Sequence, residues 1–231
     1  MSKDLVRLYP GDIERMPWVP VEGEPGGVYE KVVADDGRGS MTRYLRIDPG
    51  TSLPASADER RLETYVLEGS FEEGGKTFGT GSYTLLTPGA ERGELATSEG
   101  VVCLQVCDVD HGIDKPGVRL TAEDVEAMEW KGAASGQQGF VEKVLSTDGN
   151  GSLTRLLRVG LDGDTTELDD HDHDEEVLIV EGSCRNGEEL HPAGTYTFNP
   201  PHATHGPFVI YEPLLCFEVK NMPAPDNQPA G

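Results

Sequence analysis

The chain has 231 residues, of which 19 are Lys or Arg and 42 Asp or Glu, giving a formal charge of −23. A chain this acidic lacks the basic face needed to displace phosphate counterions, which argues against nucleic-acid binding. At 36% hydrophobic and 26% charged it has enough apolar material for a core and too much for a wholly disordered polymer.

The opening stretch, MSKDLVRLYPGDIERMPW, lacks the apolar run of a secretory leader, and no run of about 18 apolar residues occurs anywhere. The expectation is a protein neither secreted nor membrane-spanning. GDIERM suggests a short helix. Further on, EKVVADDGRGSMTRYLR (Glu30 to Arg46) lies without a gap over EKVLSTDGNGSLTRLLR (Glu142 to Arg158), 112 residues later. Arg7-Leu8 recurs as Arg119-Leu120 in the same register, and Trp18 recurs as Trp130. After one inserted residue the displacement becomes 113: Glu68-Gly69-Ser70 meets Glu181-Gly182-Ser183, and Gly81 meets Gly194. The chain is a tandem duplication. The expected division is residues 1–112, residues 113–220, and a loose Pro-rich tail over 221–231.

Within each copy the segments are short, β-branched or aromatic, and punctuated by Gly, Pro, Asn and Asp, as in FVEKVL, LTRLLRV, EVLIVEG, GTYTFNP and LLCFEVK. This is an all-β pattern. Asp36-Gly37 and Asp148-Gly149 fall between such runs and predict hairpin turns. AEDVEAM repeats the short helix signal of GDIERM. Cys103, Cys107, Cys184 and Cys216 contain no CxxC pair and are too scattered for a disulfide framework. They read as reduced thiols of a cytoplasmic protein.

The stretch DDHDHDEEVLIVEG, Asp169 to Gly182, carries the most chemistry. On a strand, residues two apart share a face, so His171, His173 and Glu175 converge. His205, in GTYTFNPPHATHGP, supplies a third imidazole from a later strand. Imidazoles with a carboxylate suit a borderline divalent metal. Glu176 is the competing carboxylate. Glu175 is preferred because it shares parity with both histidines, and because Glu176 has a counterpart, Glu63, in the copy that lacks the other ligands. Shifting the four positions back by 113 gives Asp58, Arg60, Leu62 and Arg92, which cannot hold a cation, so the first copy is expected to be structural. His202 reads as a rim residue, and His191 and His111 as solvent residues. Trp18 and Trp130 read as core anchors, and Arg43/Arg155 and Arg46/Arg158 as shared ion pairs.

These stretches resemble the two cupin motifs: an HxH, a Glu and then Gly182, followed by Gly194, Pro200 and His205. The resemblance spans both halves and implies a bicupin, two double-stranded β-helix jelly rolls in tandem. The spacing departs from the family pattern in two places. Only Asp174 separates His173 from Glu175, and His202 replaces the usual turn glycine. The neighbourhood is most similar to the cupin domains of ChrR-type anti-sigma factors and to acetylacetone dioxygenases. That implies one divalent metal per chain, Fe(II) favoured over Zn, Mn, Ni or Co, bound by His171, His173, Glu175 and His205. It also implies a homodimer that uses O2 to cleave a C–C bond of a small enolisable, diketone-like substrate, with Glu175 as base. The alternatives are a cupin isomerase, lyase or decarboxylase, or a non-catalytic metal-binding sensor of the ChrR type.

Overall fold

A computed structural model describes residues 3–109 and 114–222; His111 and the tail beyond Met222 lie outside them. Two compact units emerge, each an antiparallel β-barrel. In the second unit the strands Lys131–Gly132, Phe140–Thr147, Leu153–Val159, Phe208–Asn221, Asp174–Asn186, Tyr196–Asn199 and Val6–Leu8 neighbour one another in that order, and Glu189–Pro192 pairs with Asp174–Asn186. The first unit repeats this order with Val19–Pro20, Val28–Asp35, Met41–Ile47, Val101–Asp108, Arg61–Glu73, Tyr83–Leu86 and Val118–Leu120, and with Lys76–Gly79 on Arg61–Glu73. Neighbours in space that are not neighbours in sequence are the wiring of a jelly roll. The two helices fall at Pro10–Arg15 and Ala122–Ala127, and the second is closed by a capping box between Thr121 and Asp124.

The compact units depart from the expected division in their short leading segments. Residues 3–15 pack with 129–222, and residues 116–128 pack with 16–109. Val6–Leu8 covers the edge strand Tyr196–Asn199, while Val118–Leu120 covers Tyr83–Leu86. Each barrel thereby protects an edge with the other repeat's leading strand. Both strands read VRL, so sequence alone gives no reason to choose a partner.

The repeat also explains its own glycines. Gly69 and Gly182 have φ of +70° and +84°, and a Cβ on either would collide with a backbone carbonyl, Gly100 or Pro213 respectively. Only glycine fits where the long strand bends past its neighbour. The tryptophans are placed differently from the expectation. Trp18 and Trp130 are half-buried, and each ring is covered by cations: Lys31 and Arg46 over Trp18, Lys143 and Arg158 over Trp130. The rings hold amphipathic side chains against the barrel wall rather than filling the core. The other arginine pair behaves as expected: Arg43 bonds Glu30 and Gln105, and Arg155 bonds Glu142 and Glu218.

The two interiors differ. In the first barrel Phe71 and Phe78 stack with centroids 5.0 Å apart inside a cluster that includes Leu45, Ile47, Val66 and Val101. The second barrel has Cys184 and His191 at the equivalent positions, and it encloses a cavity of about 760 Å³. Leu157, Val159, Ile179 and Leu214 form the cavity's apolar wall.

Candidate metal centre

The strand Asp174–Asn186 starts directly after the two motif histidines, and its alternation decides which way each acid points. Glu175, Val177 and Ile179 line the cavity. Glu176 lies on the opposite face, where it takes a hydrogen bond from the Tyr196 hydroxyl at 2.8 Å and pairs with buried Lys3. Glu63 repeats the first of these contacts with Tyr83 at 2.7 Å in the other barrel. The carboxylate beside the histidines is therefore Glu175.

Its Oε2 lies 3.6 Å from His171 Nε2 and 3.2 Å from His205 Nε2. Ligand atoms of His171, His173 and Glu175 all fall within 4.8 Å of one another. His205 joins through Glu175, and its ring sits 5.2 Å from that of His171. His205 is delivered by a turn whose backbone bridges Asp169 in both directions. Two of the rings are held by their other nitrogen: His171 Nδ1–H donates to the His173 carbonyl at 2.8 Å, and His205 Nδ1–H to the Ala203 carbonyl at 2.9 Å. These bonds fix the tautomer and leave Nε2 as a lone-pair donor. Nε2 of His171 and of His173 are both buried without a hydrogen-bond partner. Buried polar atoms left unmet are costly, and a divalent cation among three imidazoles and one carboxylate would meet them.

Charges around Glu175 favour its anion. Burial pushes its carboxyl up, but the imidazoles of His171 and His205 and the Lys220 ammonium outweigh burial and hold it well below the usual glutamate range. In turn, Glu175 raises His171 and His205 against the lowering effect of burial, whereas His173 is lowered, chiefly by burial. Lys220 Nζ is 3.4 Å from Glu175 Oε1 and 3.2 Å from Glu218, and Asn199 Nδ2 donates to Glu175 Oε2 at 3.1 Å. Glu218 is in turn gripped by both ends of its carboxylate on Arg155, at 2.9 and 3.0 Å.

All four expected residues thus meet at one place, with Glu175 and His205 bordering the cavity. Sequence reasoning missed Lys220 and Asn199; their counterparts, Cys107 and Leu86, are apolar, and that change between copies was the available signal. His202 is an exposed rim residue with φ of +65°, adopting the left-handed conformation that a glycine would take there, and its ring approaches Asp170 at 3.4 Å. His191 overturns its expectation: it is 3% exposed and lines the cavity. An exposed Leu190 and acidic Glu188 and Glu189 surround it in sequence, which hid the inward turn of a strand only four residues long. In the first barrel Asp58 pairs with Arg60 at 2.8 Å, and Arg92 donates to the Pro54 carbonyl at 2.8 Å. These local contacts occupy the positions that correspond to the ligands.

A jelly-roll barrel with an HxH pair, a glutamate and a later histidine around an internal cavity defines a cupin. The model of the ChrR cupin-like domain matches residues 9–109 and 119–224, and the chain belongs to that family. No functionally curated protein matches the sequence. Among solved structures, it is similar to a Nostoc punctiforme protein provisionally described as a dioxygenase, with a TM-score of 0.81 at 17% identity over 96% of this chain and 84% of that one. A glyoxylate-induced protein of Pseudomonas aeruginosa, also provisionally described, gives 0.68 at 13% identity over 95% and 88%. Oxalate decarboxylase of Lactobacillus farciminis gives 0.61 at 11% identity over 96% and 88%. At these identities the likeness concerns the fold. No helix among the described residues is long and apolar enough to cross a membrane.

Proposed function

We propose that the second barrel is a metalloenzyme centre in which His171, His173, Glu175 and His205 hold one divalent ion, Fe(II) in the favoured reading, and that the protein is a dioxygenase acting on a small enolisable substrate. The observation that carries this is the set of unmet Nε2 atoms around one buried carboxylate at the wall of a cavity large enough for a small molecule. Bound iron would supply the positions at which a bidentate substrate and O2 meet.

The chain's own residues do the rest. Glu175 would leave the ion to accept the acidic C–H proton of the substrate, with Asn199 and Lys220 keeping the released carboxylate beside the cavity. Glu218, the other buried carboxylate on the cavity wall, is occupied by Arg155 and Lys220 and is not free for that role. Leu157, Val159, Ile179 and Leu214 keep the electron-rich enolate away from water. The reading includes a homodimer in a reducing, cytoplasmic setting. The four free buried thiols accord with the latter, and sedimentation tests the former.

A second reading follows from the family match itself: a ChrR-type cupin that binds metal as a sensor without turnover. One experiment separates the two. Protein purified without added metal is analysed for its elements, reloaded with Fe(II), and offered pentane-2,4-dione and related diketones in an oxygen electrode. One metal per chain with diketone-dependent O2 uptake supports the dioxygenase. One metal with no turnover on any diketone, and a bound protein partner, supports the sensor; turnover without O2 moves the protein to the lyase or decarboxylase class. Absence of metal from the purified protein, with no uptake on reloading, overturns the metal centre.

A further inference from the structure

The cavity wall carries a buried imidazole that the metal centre does not explain. His191, on the strand Glu189–Pro192, is 3% exposed and lines the cavity. Its Nε2 is buried without a hydrogen bond, and the nearest carboxylate oxygen, on Glu189, is 3.8 Å away. Its other close neighbour is the Tyr9 ring, edge-on at 5.6 Å. A buried imidazole with its polar edge unmet costs about 1–3 kcal/mol relative to one that is hydrogen-bonded.

The first barrel shows another use of the same positions. The position of His191 is occupied there by Phe78, 0% exposed, and that of Cys184 by Phe71, against which Phe78 stacks. The aromatic pair packs inside the core cluster and brings no polar atom to that position. The second barrel exchanges both rings for smaller side chains, one of them polar, and the space so opened is part of the cavity. An exchange that lowers packing is explained by a ligand that fills the space, and a polar side chain on its wall by a polar group on that ligand.

We infer that His191 is the residue that recognises the substrate away from the metal, hydrogen-bonding a hydroxyl or carbonyl group separate from the chelating one, and that the substrate is a small uncharged molecule. Burial and the nearby Arg7 charge lower the imidazole, so it stays neutral with one donor and one acceptor. The cavity's outer wall bears exposed Asp162, Asp164, Glu167 and Asp169, which repel anions. The inference rests on the metal-centre reading for the other end of the substrate.

The test compares the wild type with His191→Leu, which is apolar and of similar volume, and His191→Gln, which keeps polar atoms. Pentane-2,4-dione, 6-hydroxyhexane-2,4-dione, 7-hydroxyheptane-2,4-dione and 2,4-dioxopentanoate are titrated by calorimetry, with metal content measured on every sample. In the wild type at least one hydroxylated diketone binds about tenfold more tightly than the parent, the worth of one good hydrogen bond. His191→Leu abolishes that ratio at unchanged metal content, and His191→Gln retains most of it. If His191→Leu folds and preserves the ratio, or the anionic probe binds best, the inference is wrong. If His191→Leu fails to fold, loss of the ratio in His191→Gln decides against it too. Wild-type protein without metal refutes the centre, while the calorimetric ratio still reads His191.

Discussion

Adjacent glutamates on opposite faces of one strand allow a double dissociation. Glu175→Gln removes the negative charge at the centre and keeps the side chain's shape. Lys220 retains Glu218 at 3.2 Å, so no cation is left unpaired, and the fold of the metal-free protein stays intact. Metal affinity falls by more than about 100-fold, because even partners outside the ligand set typically cost 10–100-fold. Glu176→Gln has the opposite outcome. Its amide oxygen still accepts from Tyr196, but Lys3, 5% exposed, loses its counter-ion. Loss of a charge-assisted contact costs about 1.5–3 kcal/mol, and the upper end, about 3 kcal/mol, is expected for a pair this buried. At roughly 2–4 °C per kcal/mol for a chain of this size, Tm falls by about 6–12 °C. Elemental analysis and thermal unfolding by circular dichroism read the two effects. Metal loss in Glu176→Gln without a fall in Tm, or a full complement of metal in Glu175→Gln, would refute the assignment.

His202→Gly is expected to leave metal content unchanged and stability within about 0.5 kcal/mol, since relief of a left-handed residue is offset by glycine's greater freedom when unfolded; metal loss would make His202 a ligand. The thiols should be silent in the native protein. Burial pushes Cys103 to about 12, Cys107 and Cys184 to about 11, and Cys216 higher still, so a thiol reagent at pH 8 labels none until denaturant exposes all four. Finally, Asp58→His, Arg60→His, Leu62→Glu and Arg92→His made together should not give the first barrel a stoichiometric metal. Leu86 and Cys107 stand where Asn199 and Lys220 support Glu175, and a second tightly held ion per chain would contradict that requirement.

The fold was legible because two copies of one pattern constrain each other. Hairpin glycines, short helices and strand alternation recur in register, and the observed strands follow them. Glu175 was legible because Glu176 has Glu63 as its counterpart and Glu175 does not; the expected strand parity with His171 and His173 does not hold, since the strand begins only at Asp174. What escaped has a common physical cause. His191 and the exchanged leading strands depend on which segment lies beside which, and local sequence carries no record of that. Trp18 and Trp130 were misplaced because apolar area alone suggests a core, whereas a ring flanked by cationic side chains from the next strands gains as much at the wall.

Comparison of the copies also separates scaffold from site. The pairs Glu30–Arg43 and Glu142–Arg155, Glu63–Tyr83 and Glu176–Tyr196, and Ser70–Glu99 and Ser183–Glu212 persist in both barrels. They belong to the architecture. Among the changed positions are Leu62 to Glu175, Arg92 to His205, Leu86 to Asn199, Gln105 to Glu218, Cys107 to Lys220 and Phe78 to His191. All six residues of the second barrel line its cavity. Had the polar residues drifted at random across an acidic surface, they would not fall together on one inner wall.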